Sequence, residues 1–201
     1  VGTSAGVFLS TSNGATWTSA GLPGYTIRAL LFNGSKLFAG TFGGSSPMGG
    51  CLFASSDDGV NWSDVNTGMP SNSTVNSLAV MNTTLFAGGT GANPPNIGGV
   101  ISSANNGMTW SANLPYVQAN SLIVSGTNIL VGTNSGVYIS ANAGASWTQT
   151  LPLVANVLSF EVSGQNTFAG TSIGIFLSTN NGASWTEVDS GLERHVYINA
   201  L

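Results

Sequence analysis

Chemistry in this chain would have to come from three basic residues, seven acids, one histidine and one cysteine. Five of these side chains crowd into the stretch EVDSGLERH, as Glu187, Asp189, Glu193, Arg194 and His195. Two carboxylates facing one cleft would make a glycosidase, whereas a charged loop flanked by aromatic residues would make a binding patch. The remaining acids complete no opposed pair. Asp57 and Asp58 share a glycine-containing turn, Asp64 follows it, and Glu161 stands alone in the run NVLSFEV. No catalytic residue is assigned. His195 and Cys51 are each single, so neither a metal site nor an internal disulfide is expected, and nothing asks for a cofactor.

Arg28 interrupts the apolar run TIRALLF. A guanidinium set among apolar residues calls for an anion or several acceptors, which makes Arg28 a candidate ligand-binding residue. Charged residues make up 5% of the chain, against roughly 25% in an average globular protein, while 42% of residues are hydrophobic and 28 are glycine. Water solubility then rests on Ser, Thr, Asn and exposed backbone, a profile that suits a secreted or cell-surface protein. Three bases and a net charge of -4 cannot neutralise a run of phosphates, and no basic amphipathic stretch exists. Nucleic acid and membrane insertion are excluded as partners on that ground. The chain opens at Val1 without an initiator Met or a leader and is read as a mature or excised piece.

The elements that must position these residues repeat. STSNGATW ends at Trp17, SSDDGVNW at Trp62, SANNGMTW at Trp110, SANAGASW at Trp147 and STNNGASW at Trp185, at intervals of 45, 48, 37 and 38 residues. Before each motif stands an alternating apolar run such as GVFLS or GVYIS, before that a run such as KLFAGT or NILVGT, and before that TIRALLF, TVNSLAV, QANSLIV or NVLSFEV. Alternation of period two marks strands, and the intervening Asn–Gly and Ser–Gly pairs mark hairpins. Four short strands per unit of about 40 residues, with no helical periodicity, predict an all-β, five-bladed β-propeller of four-stranded antiparallel blades in one domain over 1–201. The blade begun by His195 to Leu201, which supplies its first strand, is expected to be completed by Val1 to Trp17. Aligning Leu201 with Leu30 and Val1 with Ala39 leaves the hairpin equivalent to 31–38 unrepresented in that blade. Both a ring cut at that turn and a segment of a longer array accommodate this.

The pattern Ser-x-Asp-x-Gly-x-Thr-Trp resembles the Asp-box, or BNR, repeat of sialidases, some glycoside hydrolases, sortilin-like receptors and photosystem assembly factors. Only the second unit keeps the aspartate, as Asp57; the others have Ser12, Asn105, Asn142 and Asn180. Chemistry that needs a carboxylate would not tolerate Ser or Asn, but a turn that needs a hydrogen-bond acceptor would. Asp57, Trp17, Trp62, Trp110, Trp147 and Trp185 are therefore expected to be structural, with the tryptophans anchoring the outer hairpins. The resemblance implies that the motif lies on the face opposite a ligand site. It also brings the sialidase mechanism, which uses three arginines and a tyrosine nucleophile, and two arginines in the whole chain depart from it.

Irregular features gather on the other face. The hairpins 42–50 and 90–99 are longer than their counterparts TNSG and TSIG, and loop variation on one face of a regular scaffold marks a binding surface. Tyr25, Tyr116, Glu193, Arg194 and His195 fall in connections between blades on that face, and the equivalent positions Arg28, Asn76, Asn120, Leu158 and Asn199 fall near the starts of first strands. The expected function is a non-catalytic extracellular module that binds a glycan or protein ligand there, or else a glycoside hydrolase or a structural subunit. Sparse charge also favours self-association.

Overall fold

Branched and aromatic residues alternating with small ones give strands of two to eight residues, and glycine-bearing pairs turn each into the next. The computed structural model describes residues 1–42, 51–69, 73–91, 98–152, 155–192 and 196–201. The N-terminal residues form β1 (Gly2–Thr3), β2 (Gly6–Leu9) and β3 (Thr18–Ser19). The next blade has β4 (Ile27–Asn33), β5 (Lys36–Thr41), β6 (Leu52–Ser55) and β7 (Ser63–Asp64). It is followed by β8 (Thr74–Met81), β9 (Thr84–Thr90), β10 (Gly99–Ser103) and β11 (Ser111–Pro115). Then come β12 (Ala119–Ser125), β13 (Asn128–Thr133), β14 (Gly136–Ser140) and β15 (Thr148–Pro152), and finally β16 (Val157–Ser163), β17 (Asn166–Thr171), β18 (Ile175–Ser178) and β19 (Thr186–Glu187).

Each sheet is an antiparallel meander in chain order, and the whole is a five-bladed β-propeller. Four sheets have four strands; the sheet of β1, β2 and β3 has three. Segment 196–201 takes the place of that blade's innermost strand without ladder pairing to β1 among the described residues. The comparison with other blades locates it. A glycine in the second strand of each blade makes room for a residue near the start of the next blade's first strand: Gly2 for Ile27, Gly40 for Val75, Gly88 for Ala119 and Gly132 for Val157. Gly170 does the same for Ile198, whose N–H donates to the Thr171 carbonyl at 2.9 Å.

The core lies between blades. Phe38, Leu52, Val75, Leu85 and Trp110 form one cluster across the boundary between β4–β7 and β8–β11, and Phe86, Val100, Ala119 and Ile129 form the next. Each blade buries its face on its neighbours, so no blade holds a core of its own.

The five turn motifs share one hydrogen-bond pattern. In the second, Ser55 Oγ accepts from Gly59 N–H at 2.9 Å and donates to Asp57 Oδ1 at 2.8 Å, and the same Oδ1 accepts from Asn61 N–H at 2.8 Å. Asn105, Asn142 and Asn180 accept from the amides of Thr109, Ser146 and Ser184 at 2.9 Å each, and Ser12 Oγ from that of Thr16 at 2.8 Å. At the aspartate position only the acceptor is common to all five, and the motif serine accepts from the motif glycine N–H in each. Gly107 has a φ of 84°, and the residue before it in the motif also has positive φ in every turn, including Ala143 at 53°. Two successive left-handed residues explain why glycine recurs at the second of them.

The tryptophans reach further than their own hairpins. Trp62 Nε1 donates to Ala20 O at 2.8 Å, Trp110 Nε1 to Val65 O at 2.9 Å and Trp185 Nε1 to Thr150 Oγ1 at 3.2 Å, each in the preceding blade. Trp147 packs against the second boundary cluster, whereas Trp17 is 47% exposed. Trp62, Trp110, Trp147 and Trp185 thus tie blade to blade, a wider role than anchoring a hairpin.

The extra hydrogen bonds from Asn61 N–H, Asn61 Nδ2 and Ser55 hold the Asp57 carboxyl below its ordinary value. The contribution of that depressed acid to stability is present at neutral pH and lost as pH falls from the ordinary carboxylate range through the lowered folded value. Asp57→Asn should fold normally, as the sister turns with Asn do, and should lose this part of the acid sensitivity. Melting curves of both proteins across acidic pH, with NMR titration of Asp57, check it.

Candidate functional site

A single irregularity builds the candidate site. Within each first-to-second strand pair the register slips by one residue, between Ile27 and Ala29, Val75 and Ser77, Ala119 and Ser121, and Val157 and Ser159. The residue left over at each slip is Arg28, Asn76, Asn120 or Leu158. A bulge frees its residue from the alternation of the strand and re-aims the side chain. These four, with Asn199 from 196–201, line one cavity of about 340 Å³ where the innermost strands of all five blades meet. The column of equivalent positions is legible in the sequence, but the bulges that make it converge are not.

Two of the asparagines are partly committed to holding the ring. Asn76 Nδ2 donates to Ala119 O at 3.1 Å and Asn120 Nδ2 to Val157 O at 3.2 Å, each crossing to the next blade. Among the described residues, Arg28 is the sole charged residue lining the cavity. Its guanidinium carbon lies 4.9 Å from the centre of the Phe42 ring, a cation–π contact, and it makes no hydrogen bond or ion pair with the described residues. A planar fork of five donors is thus available for a carboxylate, a sulfate or the carbonyls of a ligand.

A second cavity, of about 290 Å³, opens on the same loop face between β8–β11 and β12–β15. Tyr116, Gln118 and Asn134 line it, together with Thr90, Gly91 and Gly98 at the described ends of one expanded hairpin. Tyr116 is 76% exposed and has a φ of 68°, with its N–H donating to Gly98 O at 3.0 Å. A non-glycine residue held left-handed in this way is a local cost that surrounding structure sustains. It turns an aromatic face toward solvent beside two amide side chains.

Tyr25 goes elsewhere. It is buried, packs edge-on against Phe53 with ring centres 4.9 Å apart, and belongs to the cluster of Val7, Leu22 and Ile27. The expectation that it reaches a ligand is corrected by that burial: an aromatic ring beside the apolar seam between two blades gains more by filling it than by facing water. Glu193, Arg194 and His195 lie outside the described residues, as do 43–50 and 92–97 of the expanded hairpins. No described carboxylate lines either cavity. Glu161 is exposed on β16, Asp64 ends β7 and Glu187 ends β19. Among the described residues no three His, Cys, Asp or Glu side chains gather as a metal set, and no helix is long and apolar enough to cross a membrane. Burial, and then the nearby Asp64 charge, push the Cys51 thiol up to about 11, so it is protonated and unreactive at neutral pH.

No protein-family model matches the chain, and no curated protein does. Solved structures do. The extracellular domain of a B. thetaiotaomicron hybrid two-component system superposes over 99% of this chain with a TM-score of 0.77 at 16% identity, using 27% of its own length. An ancestral GH74 enzyme matches over 95% of this chain with a TM-score of 0.71 at 22% identity, and a GH74 enzyme of Niastella koreensis over 92% with 0.62 at 20%, each through 29% of its own length. The chain thus spans between a quarter and a third of the proteins it resembles. At these identities the likeness is one of fold, and it places this chain among propeller-type structures.

Proposed function

We propose that the protein is a non-catalytic extracellular binding module whose loop face takes a glycan or protein ligand, and that its five turn motifs are Asp-boxes serving as structural fasteners on the other face. The observation that carries this reading is the convergence of Arg28, Asn76, Asn120, Leu158 and Asn199 on one cavity through four aligned bulges. Its volume, about 340 Å³, falls in the range of small-ligand sites. Amide groups suit hydroxyls and peptide groups, and Arg28 adds a fixed positive charge for an acidic sugar or a carboxylate side chain. The neighbouring Tyr116 cavity extends the surface with an exposed ring on which a sugar or a proline can lie. The absence of described carboxylates from both cavities favours binding over hydrolysis.

An array of neutral and acidic glycans, paired with a peptide library, tests the reading. The Arg28→Gln protein should lose affinity for acid-bearing ligands by about tenfold or more, the worth of a hydrogen bond to a charged group. Its melting temperature should stay nearly unchanged, because Arg28 is exposed and makes no hydrogen bond or ion pair with the described residues. A ligand that binds equally to both proteins places the site elsewhere, and glycosidase activity dependent on Glu161 would move the protein to the hydrolase class.

A further inference from the structure

Four Asn–Gly pairs occur in the chain: Asn13–Gly14, Asn33–Gly34, Asn106–Gly107 and Asn181–Gly182. An asparagine before glycine is open to attack by its own backbone, because no side chain shields the next nitrogen. Three of the four share one protection. Gly14, Gly107 and Gly182 are the glycines of turn motifs, and their N–H groups donate to Ser10, Ser103 and Ser178 Oγ at 2.8, 2.9 and 2.8 Å. Gly107 and Gly182 are buried as well.

Asn33–Gly34 stands outside the motifs, where a tight turn joins β4 to β5. Asn33 pairs directly with Lys36, which leaves only Gly34 and Ser35 in the turn, both exposed. Gly34 has a φ of 59° and open space where a Cβ would lie. Its N–H makes no hydrogen bond with the described residues. The Asn33 carboxamide is held at one point, through Nδ2, which donates to Asn106 Oδ1 of the next blade at 3.0 Å. That bond holds the nitrogen that would leave and not the carbon that would be attacked.

We infer that Asn33–Gly34 is a self-modification site, at which the chain converts Asn33 to aspartate or isoaspartate and adds a negative charge at a blade boundary. Gly34 N attacks Asn33 Cγ. The new N–Cγ bond closes a succinimide ring as the Cγ–Nδ2 bond breaks, and the proton lost from Gly34 ends on the departing ammonia. Water then opens the ring. Addition at Cγ gives aspartate, and addition at the former main-chain carbonyl gives isoaspartate, whose backbone runs through the side chain. No oxidant is consumed. The product carboxylate has no proton to donate to Asn106 Oδ1, and residue 33 stands directly across the hairpin from Lys36, which makes no ion pair with the described residues. A tie between blades is thus exchanged for a charge pair within one blade. The inference rests on turn chemistry and is independent of the loop-face reading.

The test holds the whole folded chain in mildly alkaline buffer and samples it over days. Peptide mass spectrometry follows the mass gained when ammonia is exchanged for water, and enzymatic methylation detects isoaspartate. Asn33 should convert first, at a rate that rises with pH. Asn13 should convert about fivefold more slowly or worse, the rate equivalent of the hydrogen bond that ring closure must break at Gly14. Asn106 and Asn181 should lag further, because their glycines are buried and the turns must open first. Ser10→Ala, which frees the Gly14 N–H, should bring Asn13 toward the rate of Asn33, and Asn33→Gln should remove the first acidic species to form. Equal rates at Asn13 and Asn33, earlier conversion of Asn106 or Asn181, or no conversion at Asn33 overturns the inference. So does a rate at Asn13 that Ser10→Ala leaves unchanged.

Discussion

Replacing Trp110 with alanine is expected to destabilise the protein by about 3–5 kcal/mol, the cost of deleting a large buried aromatic side chain. Trp110 is 4% exposed and packs with Phe38, Leu52, Leu85 and Ile101 across a blade boundary. Its indole donates to Val65 O at 2.9 Å and its own N–H to Thr67 O at 3.0 Å, both in the blade before. Truncation removes the first bond and the packing at once, leaving Val65 O without that donor. Trp17→Ala is the internal comparison. That residue has the same place in its motif but is 47% exposed, so its loss should cost about 1 kcal/mol or less. Chemical denaturation of both variants decides the matter; equal effects would mean that the motif, and not its contact with the preceding blade, sets the cost.

Gly107→Ala should cost about 2–5 kcal/mol, more than an exposed turn substitution. The left-handed backbone at φ 84° penalises any side chain by roughly 1–2 kcal/mol, and a methyl group there would press on Phe38 Cε1, adding an overpacking cost of about 1–3 kcal/mol. Gly34→Ala is the control, because that glycine is also left-handed, with φ 59°, but has open space around it. The difference between the two denaturation midpoints reports the wedge of one blade's second strand into the next blade's turn. A Gly107→Ala protein no less stable than Gly34→Ala would remove that wedge from the account of how the ring holds together.

The strands and turns were legible because their demands fall at fixed offsets: a period of two for the strands, an acceptor two residues after the motif serine, and a glycine two residues later for left-handed backbone. What packs against what was less so. The tryptophan motif marks a hairpin, but nothing in its eight residues tells that Trp62 reaches back to Ala20 across a blade boundary. Tyr25 and Tyr116 both occupy connections between blades and read alike in sequence. They part company in space because Tyr116 takes a φ of 68° that turns it outward, while Tyr25 falls into the seam beside Phe53. The ring of Arg28, Asn76, Asn120, Leu158 and Asn199 could be listed by alignment alone, yet a strict alternation predicts no reason for Arg28 to escape the apolar strand around it. The bulge supplies that reason.

The same bulges separate two tasks that a regular strand would entangle. A side chain at an ordinary strand position answers to its neighbours in the core, so changing it costs packing. The surplus residue at each bulge answers to the channel instead, and the chain already carries arginine, asparagine and leucine at that one structural address while the strands on either side keep the same pairing. Four such addresses at bulges, with Asn199 from 196–201 as the fifth position of the ring, set the lining of the channel through the backbone. The lining of the channel can therefore be varied with the strand pairing left as it is, most freely at Arg28 and Leu158, since Asn76 and Asn120 also bond to the next blade.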